Sequence, residues 1–484
     1  MHFVIKLFPE ITIKSAPVRK RMTKQLRNNL RYLLKPLDEL IKVEMDWEKI
    51  EITGPEDEQL ACQMADVLAR TPGIANFSRV QHFPLGDFDD ILEKTLSVWG
   101  DKLADKTFVL RVKRNGKHEF TSHDVERQVG GGLLHQSQAT GVKLRDPDIT
   151  VRLEIRQAQL YVIEETTRGL GGFPLGTQDS VISLISGGFD STVSSYLTIK
   201  RGLRTHFLFF NLGGRAHEVG VKEVAFYLWN KFGASHRVRF ISVPFDEVLS
   251  EILCNVHNSQ MGVVLKRMML RAATRVADEM GVQALVTGES VAQVSSQTLP
   301  NLAVIDSVVS SLVLRPLATF DKKDIIDIAR KIGTEAFAAN MPEYCGVISV
   351  KPTTRAKEER VAREETAFNF DVLEKAIANK WVQNIDEVMA ESEPLVQIEI
   401  FAVPQPDTVI VDIRHPDEVD VRPLKLDANE VQEIPFFTLQ NRFNELAGDT
   451  HYLLYCDKGV MSWLHAELLV EQGFSNVAVY RPTK

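Results

Sequence analysis

The chain has 484 residues, 44% of them hydrophobic, a formal net charge of −8 and four cysteines; at roughly 100–200 residues per domain this means about three domains with full cores, and excludes a peptide, a disulfide-stapled miniprotein or a disordered tail. Cys62, Cys254, Cys345 and Cys456 are widely separated with no C-x-x-C pair, so neither an extracellular disulfide framework nor a zinc or iron–sulfur site is expected. Met1 runs straight into a strand pattern and no apolar run approaches the ~18 residues of a membrane span, so a cytoplasmic protein without a membrane partner is expected.

The total charge hides its distribution. Residues 1–168 and 169–348 each carry +1, and residues 349–484 carry −10. Within the first block, Ile11 to Leu37 holds eight bases and no acid, and Lys106 to Lys117 holds five bases and no acid. Each reads as a solvated face or as the footprint of a phosphate backbone.

In chain order, residues 3–8 alternate as a strand, 17–34 have helical spacing, 50–53 begin a strand, 60–70 form a helix stopped by Pro72-Gly73, and 74–81 form a strand. A second α+β unit follows: helix 91–99, strand 107–113, helix 122–137, strands 150–155 and 159–164, then a glycine-dense stretch from Gly169 to Gly176 that reads as a linker or a closely approached loop. From Val181 strands and helices alternate: strand 181–185, helix 192–200, strand 206–211, helix 219–232, strand 238–243, helix 261–280, strand 283–287 and helix 322–332 ended by Gly333. That grammar predicts a doubly wound parallel sheet with its ligand at the carboxyl ends of the strands. Residues 355–393 read as charged helix and Pro394 to Pro406 as a linker, before a small α/β unit with strands 409–413, 452–455 and 477–480 and helix 463–472.

Three motifs carry chemistry. Ser186-Gly187-Gly188-Phe189-Asp190-Ser191-Thr192 stands between an apolar strand and a helix; two glycines let backbone N–H groups approach phosphate oxygens at a helix N-terminus. An ordinary capped turn is the simpler reading of a bare Gly-Gly, but Ser, Asp and Ser in this context make a pyrophosphate cradle. It is not a Walker A loop. Cys456-Asp457-Lys458-Gly459-Val460-Met461-Ser462 follows another apolar strand and opens another helix, a setting in which loop N–H groups, the helix end and Lys458 each favour a thiolate; taken alone it reads equally as a buried cysteine at a strand end. Cys345 lies in a Pro- and Gly-flanked loop, Met341 to Gly346, late in the α/β unit, where it is a structural cysteine or faces the nucleotide. Cys62 and Cys254 lie in helical patterns and read as filler. His217-Glu218 begins an H-E-x-x-H motif, but position 221 is Val, so no metal pair forms.

Ser-Gly-Gly-x-Asp-Ser resembles the signature of the PP-loop ATP pyrophosphatases, and Cys-x-x-Gly-x-x-Ser after a strand resembles the rhodanese active loop, with Val411-Asp412-Ile413-Arg414 matching that fold's first strand and Arg422-Pro423-Leu424 replacing the usual Gly-His-Ile. Taken together with Gly171 to Pro174, Val129 to Leu133, Leu265 to Met269, Val286 to Glu289 and Gln293 to Thr298, these motifs resemble the tRNA 4-thiouridine synthase family (tRNA uracil 4-sulfurtransferases) in its long form. The resemblance implies a ferredoxin-like domain (1–60) and a THUMP domain (61–166) that bind tRNA, a PP-loop pyrophosphatase domain (177–393) and a rhodanese domain (404–484). It implies ATP contacts from Leu184, Ile185, Ser186, Gly187, Gly188, Ser191, Lys266, Gly288 and Gln297, with Asp190 catalytic and Mg²⁺ sharing the phosphate charge. Within those domains the two acid-free basic stretches offer Lys14, Arg19, Lys20, Arg21, Lys24, Arg111, Lys113, Arg114 and Lys117 as candidate tRNA contacts. Ala292 stands where many relatives have Gly. The implied chemistry is adenylation of a uridine, expected at position 8, with loss of pyrophosphate. A Cys456 persulfide loaded by a cysteine desulfurase then supplies sulfur, directly or as hydrogen sulfide released by Cys345. Either way a Cys345–Cys456 disulfide results and a reductant resets it. A homodimer and delivery of sulfur to a small carrier protein for the thiamine thiazole are also implied. Rival readings are a sulfur relay for thiamine synthesis alone and an RNA-binding adaptor without turnover.

Overall fold

A computed structural model describes residues 1–46, 49–212, 214–341, 351–389, 398–414, 416–426, 428–446, 448–457 and 460–482. Two compact units emerge, Met1–Thr177 and Gln178–Lys484.

The first unit is built on one eight-stranded sheet. Its strands are β1 His2–Leu7, β2 Lys42–Asp46, β3 Lys49–Thr53, β4 Ile74–Pro84, β5 Thr107–Asn115, β6 Gly141–Val142, β7 Ile149–Arg156 and β8 Gln159–Arg168, in the order β2-β3-β1-β4-β8-β7-β5-β6. Alternation in β1 sends Phe3, Ile5 and Leu7 into a core with Leu26, Leu30 and Leu34 of the helix Ala16–Leu34. The helix Glu58–Arg70 starts where Asp57 accepts a hydrogen bond from Leu60 N at 2.8 Å and packs Met64 and Leu68 into the same core; the division expected at residue 60 falls inside it. The helices Phe88–Trp99 and Ser122–Gln136, the latter opened by a Thr121/Asp124 capping box, pack a second core on β5, β7 and β8. Because β4 pairs with β1 on one side and β8 on the other, both halves share a sheet. The glycine-rich stretch after β8 is a closely approached loop rather than a free linker: Gly171 N donates to Ile74 O at 2.7 Å, and Phe173 is buried in the first core.

The second unit holds two sheets. The larger has strands β9 Ser180–Leu184, β10 Arg204–Asn211, β11 Arg239–Pro244, β12 Ala284–Val286, β13 Leu312–Leu314 and β14 Trp381–Asn384, in the order β13-β12-β9-β10-β11-β14. All neighbours are parallel except β14, which runs antiparallel to β11. That strand corrects the reading of 355–393 as helix throughout; the helices Glu358–Glu365 and Phe370–Ala378 precede it. The chain builds outward from β9 through β10 and β11, then returns to lay β12 against the opposite edge of β9, which puts the switch point at the carboxyl ends of β9 and β12. The smaller sheet is parallel: β15 Ile400–Phe401, β16 Thr408–Asp412, β17 Val431–Glu433, β18 His451–Tyr455 and β19 Val477–Tyr480, ordered β15-β19-β18-β16-β17. The stretch expected as linker therefore contains a paired strand at Ile400–Phe401. Among the described residues, no helix is long and apolar enough to cross a membrane.

Candidate functional site

The loop after β9 turns at a residue that only glycine satisfies. Gly187 has φ +83°, a left-handed conformation that costs a side-chain-bearing residue about 1–2 kcal/mol. Gly188 then caps the helix Phe189–Lys200 in extended geometry. This helix begins three residues earlier than its sequence pattern suggests, so Asp190 and Ser191 lie in its first turn, where backbone N–H groups have no intrahelical acceptor. The loop braces itself: Ser186 N donates to Ser191 Oγ at 3.1 Å, and the Ser191 hydroxyl donates to Gly188 O at 3.1 Å. N–H groups and a helix dipole therefore converge at the switch point, the arrangement that holds a polyphosphate.

Register in the sheet sets Val286 opposite Ser183, which brings the loop after β12 beside the loop after β9. There Gly288 touches the neighbouring backbone: a Cβ on it would lie 2.6 Å from Asp190 C and 2.7 Å from Ser191 N. The Asp190 carboxylate is pinned on both oxygens, by Lys322 Nζ at 2.8 Å and by Gln293 Nε2 at 2.8 Å. Gln297 is buried, and its side-chain carbonyl has no partner among the described residues. Lys266, on the helix Met261–Met280, donates to Glu289 Oε1 at 2.7 Å, while Arg315 Nε donates to Glu289 Oε2 at 2.7 Å. Burial pushes the Glu289 carboxyl up, but the two cations outweigh it and hold the group below the usual carboxylate range. Leu184 ends β9 and Ile185 is buried just beyond it. All of the expected nucleotide contacts thus gather at one end of one sheet.

Sequence reasoning missed the residues that support them. His217, noticed only for a failed metal motif, places Nε2 3.4 Å from Ser186 O, and burial lowers its pKa. Lys322 and Arg315 had no local signature, and Gln293 stood in a quoted motif without a role, because each acts across 26 residues or more. Among the described residues, no three His, Cys, Asp or Glu side chains gather as a metal-ligand set.

The thiol site is built on the second sheet. Cys456 follows β18 and is 7% exposed; its sulfur accepts from Ser462 N at 3.3 Å and donates to Ser462 Oγ at 3.5 Å, in the first turn of the helix Val460–Glu471. Beside it, Arg414 forks onto buried Asp412 (2.9 and 2.6 Å) and reaches Asp457 Oδ1 at 3.0 Å. Arg422, from the segment that departs from the rhodanese pattern, also binds Asp457, so the departure supplies a clamp on the loop next to the cysteine. Lys458 and Cys345 lie outside the described residues, and with Cys345 the expected Cys345–Cys456 pairing. Cys62 and Cys254 are exposed on helices.

In the first unit, Lys14, Lys20, Arg21, Lys24, Arg111, Lys113 and Lys117 are exposed, whereas Arg19 donates to Thr12 O at 3.0 Å and Arg114 is half-buried beside His118 at 3.0 Å. Alternation puts Arg111 and Lys113 on the face of β5 opposite Leu110 and Arg114, and Arg111 stands in register with exposed Arg152. The acid-free run is not acid-free in space, because Lys113 is in register with Glu154.

Family models match four stretches: "ThiI ferredoxin-like domain" over 2–78, "THUMP domain" over 86–163, "Thiamine biosynthesis protein (ThiI)" over 176–370 and "Rhodanese-like domain" over 402–481. Among curated relatives, the tRNA sulfurtransferase of Saccharophagus degradans is 56% identical over 483 residues and that of Pseudomonas aeruginosa 54% identical over 483 residues, each covering 100% of both chains. A crystal structure described as a 4-thiouridine synthetase–RNA complex with bound ATP superposes with a TM-score of 0.70 at 26% identity, over 79% of this chain and 99% of that one.

Proposed function

The chain belongs to the tRNA sulfurtransferases, and from that premise we propose that it activates a tRNA uridine with ATP on the Ser186–Ser191 loop and thiolates it with sulfur carried by Cys456. One observation carries the reading: a glycine-built anion loop and a helix-capped, buried thiol belong to the same compact unit. Neither an RNA-binding adaptor nor a pure sulfur relay needs the first of these.

ATP would lay its phosphates on the N–H groups of residues 187–191, with Lys266 as a neighbouring cation and the free carbonyl of Gln297 as an acceptor for the adenine amine. Mg²⁺ would share the phosphate charge, with Asp190 as its protein ligand once Lys322, at the end of a flexible stem, turns away. Uridine O4 attacks the α-phosphorus and pyrophosphate leaves, so C4 now carries an AMP leaving group. The terminal sulfur of the Cys456 persulfide attacks C4 and expels AMP. Cys345 thiolate then attacks the Cys456 sulfur, closing a Cys345–Cys456 disulfide and freeing the 4-thiouridine. In the other order, Cys345 attacks first and hydrogen sulfide reaches C4; the atoms and electrons balance in both, and a dithiol reductant supplies two electrons to reset the disulfide. The Ser462 N–H in the first turn of the helix Val460–Glu471 donates to the Cys456 sulfur, where it would support the sulfur anion each version needs. The persulfide would come from a cysteine desulfurase. The matched name "Thiamine biosynthesis protein" supports a second outlet, to a small carrier protein for the thiazole.

The test is tRNA-dependent release of pyrophosphate from ATP together with thiolation of the same tRNA. Pyrophosphate release without thiolation in Cys456→Ala supports the order given; thiolation by that variant at the parental rate refutes the sulfur path. Mass spectrometry of tRNA from a deletion strain identifies the nucleotide, expected at position 8.

A further inference from the structure

The helix Gly214–Leu228 presents four residues at helical spacing, 217, 220, 223 and 227, and each meets a different part of the second unit. His217 touches the carbonyl of Ser186 in the phosphate loop. Gly220 lies under Met341, whose methyl also covers Gly187. Glu223 forms a hydrogen bond with His465 Nε2. Tyr227 packs at a tilt against Phe337, which packs edge-on against Phe436, which in turn lies beside the His465 ring. His465 and Phe436 belong to the C-terminal sheet's domain, and the other residues belong to the domain of the phosphate loop.

Glu223 and His465 are 5% and 3% exposed, which makes this a desolvated contact and not a surface encounter. A carboxylate only accepts, so His465 Nε2 carries the proton toward Glu223, and its Nδ1 is left without a partner among the described residues. Burying such groups is unfavourable unless the contact is kept. His465 is one turn beyond Ser462, whose N–H holds the Cys456 sulfur. Anchoring His465 therefore fixes the roll of the helix that carries the thiol, against the same helix that backs the phosphate loop.

We propose that Glu223 and His465 are positioning residues that dock the Cys456 domain on its own chain's nucleotide domain, so that sulfur handover takes place from a fixed pose and not from a tethered, freely diffusing domain. This rests on the function proposed above. Neither residue touches the reacting atoms.

The experiment uses the full-length chain, loaded with persulfide on Cys456 and mixed once with ATP and tRNA. Formation of the thiolated nucleoside, pyrophosphate release and the prior extent of loading are measured separately. Glu223→Ala and His465→Ala should each slow handover by about tenfold or more, with loading and pyrophosphate release unchanged. The double variant should be no slower than the worse single one, as one shared contact requires. Glu223→Gln, which keeps an oxygen acceptor for Nε2–H, should recover most of the rate. Hydrogen exchange in the helix Val460–Glu471 should accelerate in His465→Ala. Parental handover in both single variants, or unchanged exchange, overturns the dock. Parallel loss of pyrophosphate release also overturns it, because the contact would then be a general brace. A parent chain that loads sulfur but thiolates no tRNA refutes the function instead, a result the variants alone could not produce.

Discussion

Replacing Gly288 by alanine tests whether the loops after β9 and β12 form one site. The new Cβ would stand 2.6 Å from Asp190 C, 2.7 Å from Ser191 N and 2.8 Å from Asp190 O. These are backbone atoms at the start of a helix, so no side chain can rotate away. To regain ordinary contact near 3.4 Å, the first turn of Phe189–Lys200 must retreat by about 0.8 Å. Overpacking of this kind costs about 1–3 kcal/mol of stability, and a displacement near 1 Å at a reacting phosphate costs about 10²-fold in rate. Gly288→Ala should therefore lower the melting temperature by several degrees and tRNA-dependent pyrophosphate release by about 10²-fold, while tRNA affinity stays parental. Parental pyrophosphate release by a folded Gly288→Ala chain would refute the claim that this backbone contact sets the phosphate cradle.

Asp190→Ala removes the carboxylate that joins Lys322 and Gln293 at the loop; pyrophosphate release should fall by about 10²-fold with tRNA binding intact, as read by filter retention. Cys345→Ala should stop repeated turnover with a persulfide donor, and multiple rounds of thiolation by it would exclude the disulfide step. Ala292 adopts φ +65°, so Ala292→Gly should relieve strain and raise stability by about 1 kcal/mol in thermal melts, net of the extra unfolded-state entropy of glycine. In the first unit, burial pushes the Glu154 carboxyl up, but the hydrogen bond from Arg156 and the charges of Lys6 and Arg156 hold it down at about 2. A depressed carboxyl stabilises the fold above its ordinary value of 4.5 and loses that contribution as pH falls toward 2; denaturant titrations of the parent should weaken over that window, and those of Glu154→Gln should weaken less.

The candidate loops were legible in the sequence because their physics is local. A phosphate loop needs glycine at φ +83° just ahead of a helix, and a thiol capped by a helix needs a helix start a few residues on, so Ser186 to Ser191 and Cys456 to Ser462 announce themselves over six and seven residues. The alternation of β9 through β12 with helices is local in the same sense. Strand β14 was hidden because four residues ahead of a turn carry no period of their own; Trp381 to Asn384 is a strand only because β11 offers an antiparallel edge. Likewise Lys113 read as part of a basic run until β7 set Glu154 beside it. Nothing in the sequence around Glu223 or His465 hints at their contact across 242 residues. What the sequence by itself determined is which two loops have the backbone of a candidate phosphate cradle and of a helix-capped thiol, since backbone conformation and helix ends are set within a few residues. Which carboxylates are pinned, which charges are neutralised and how the thiol domain is held were decided only by tertiary structure, because burial and ion pairing depend on what the fold brings alongside.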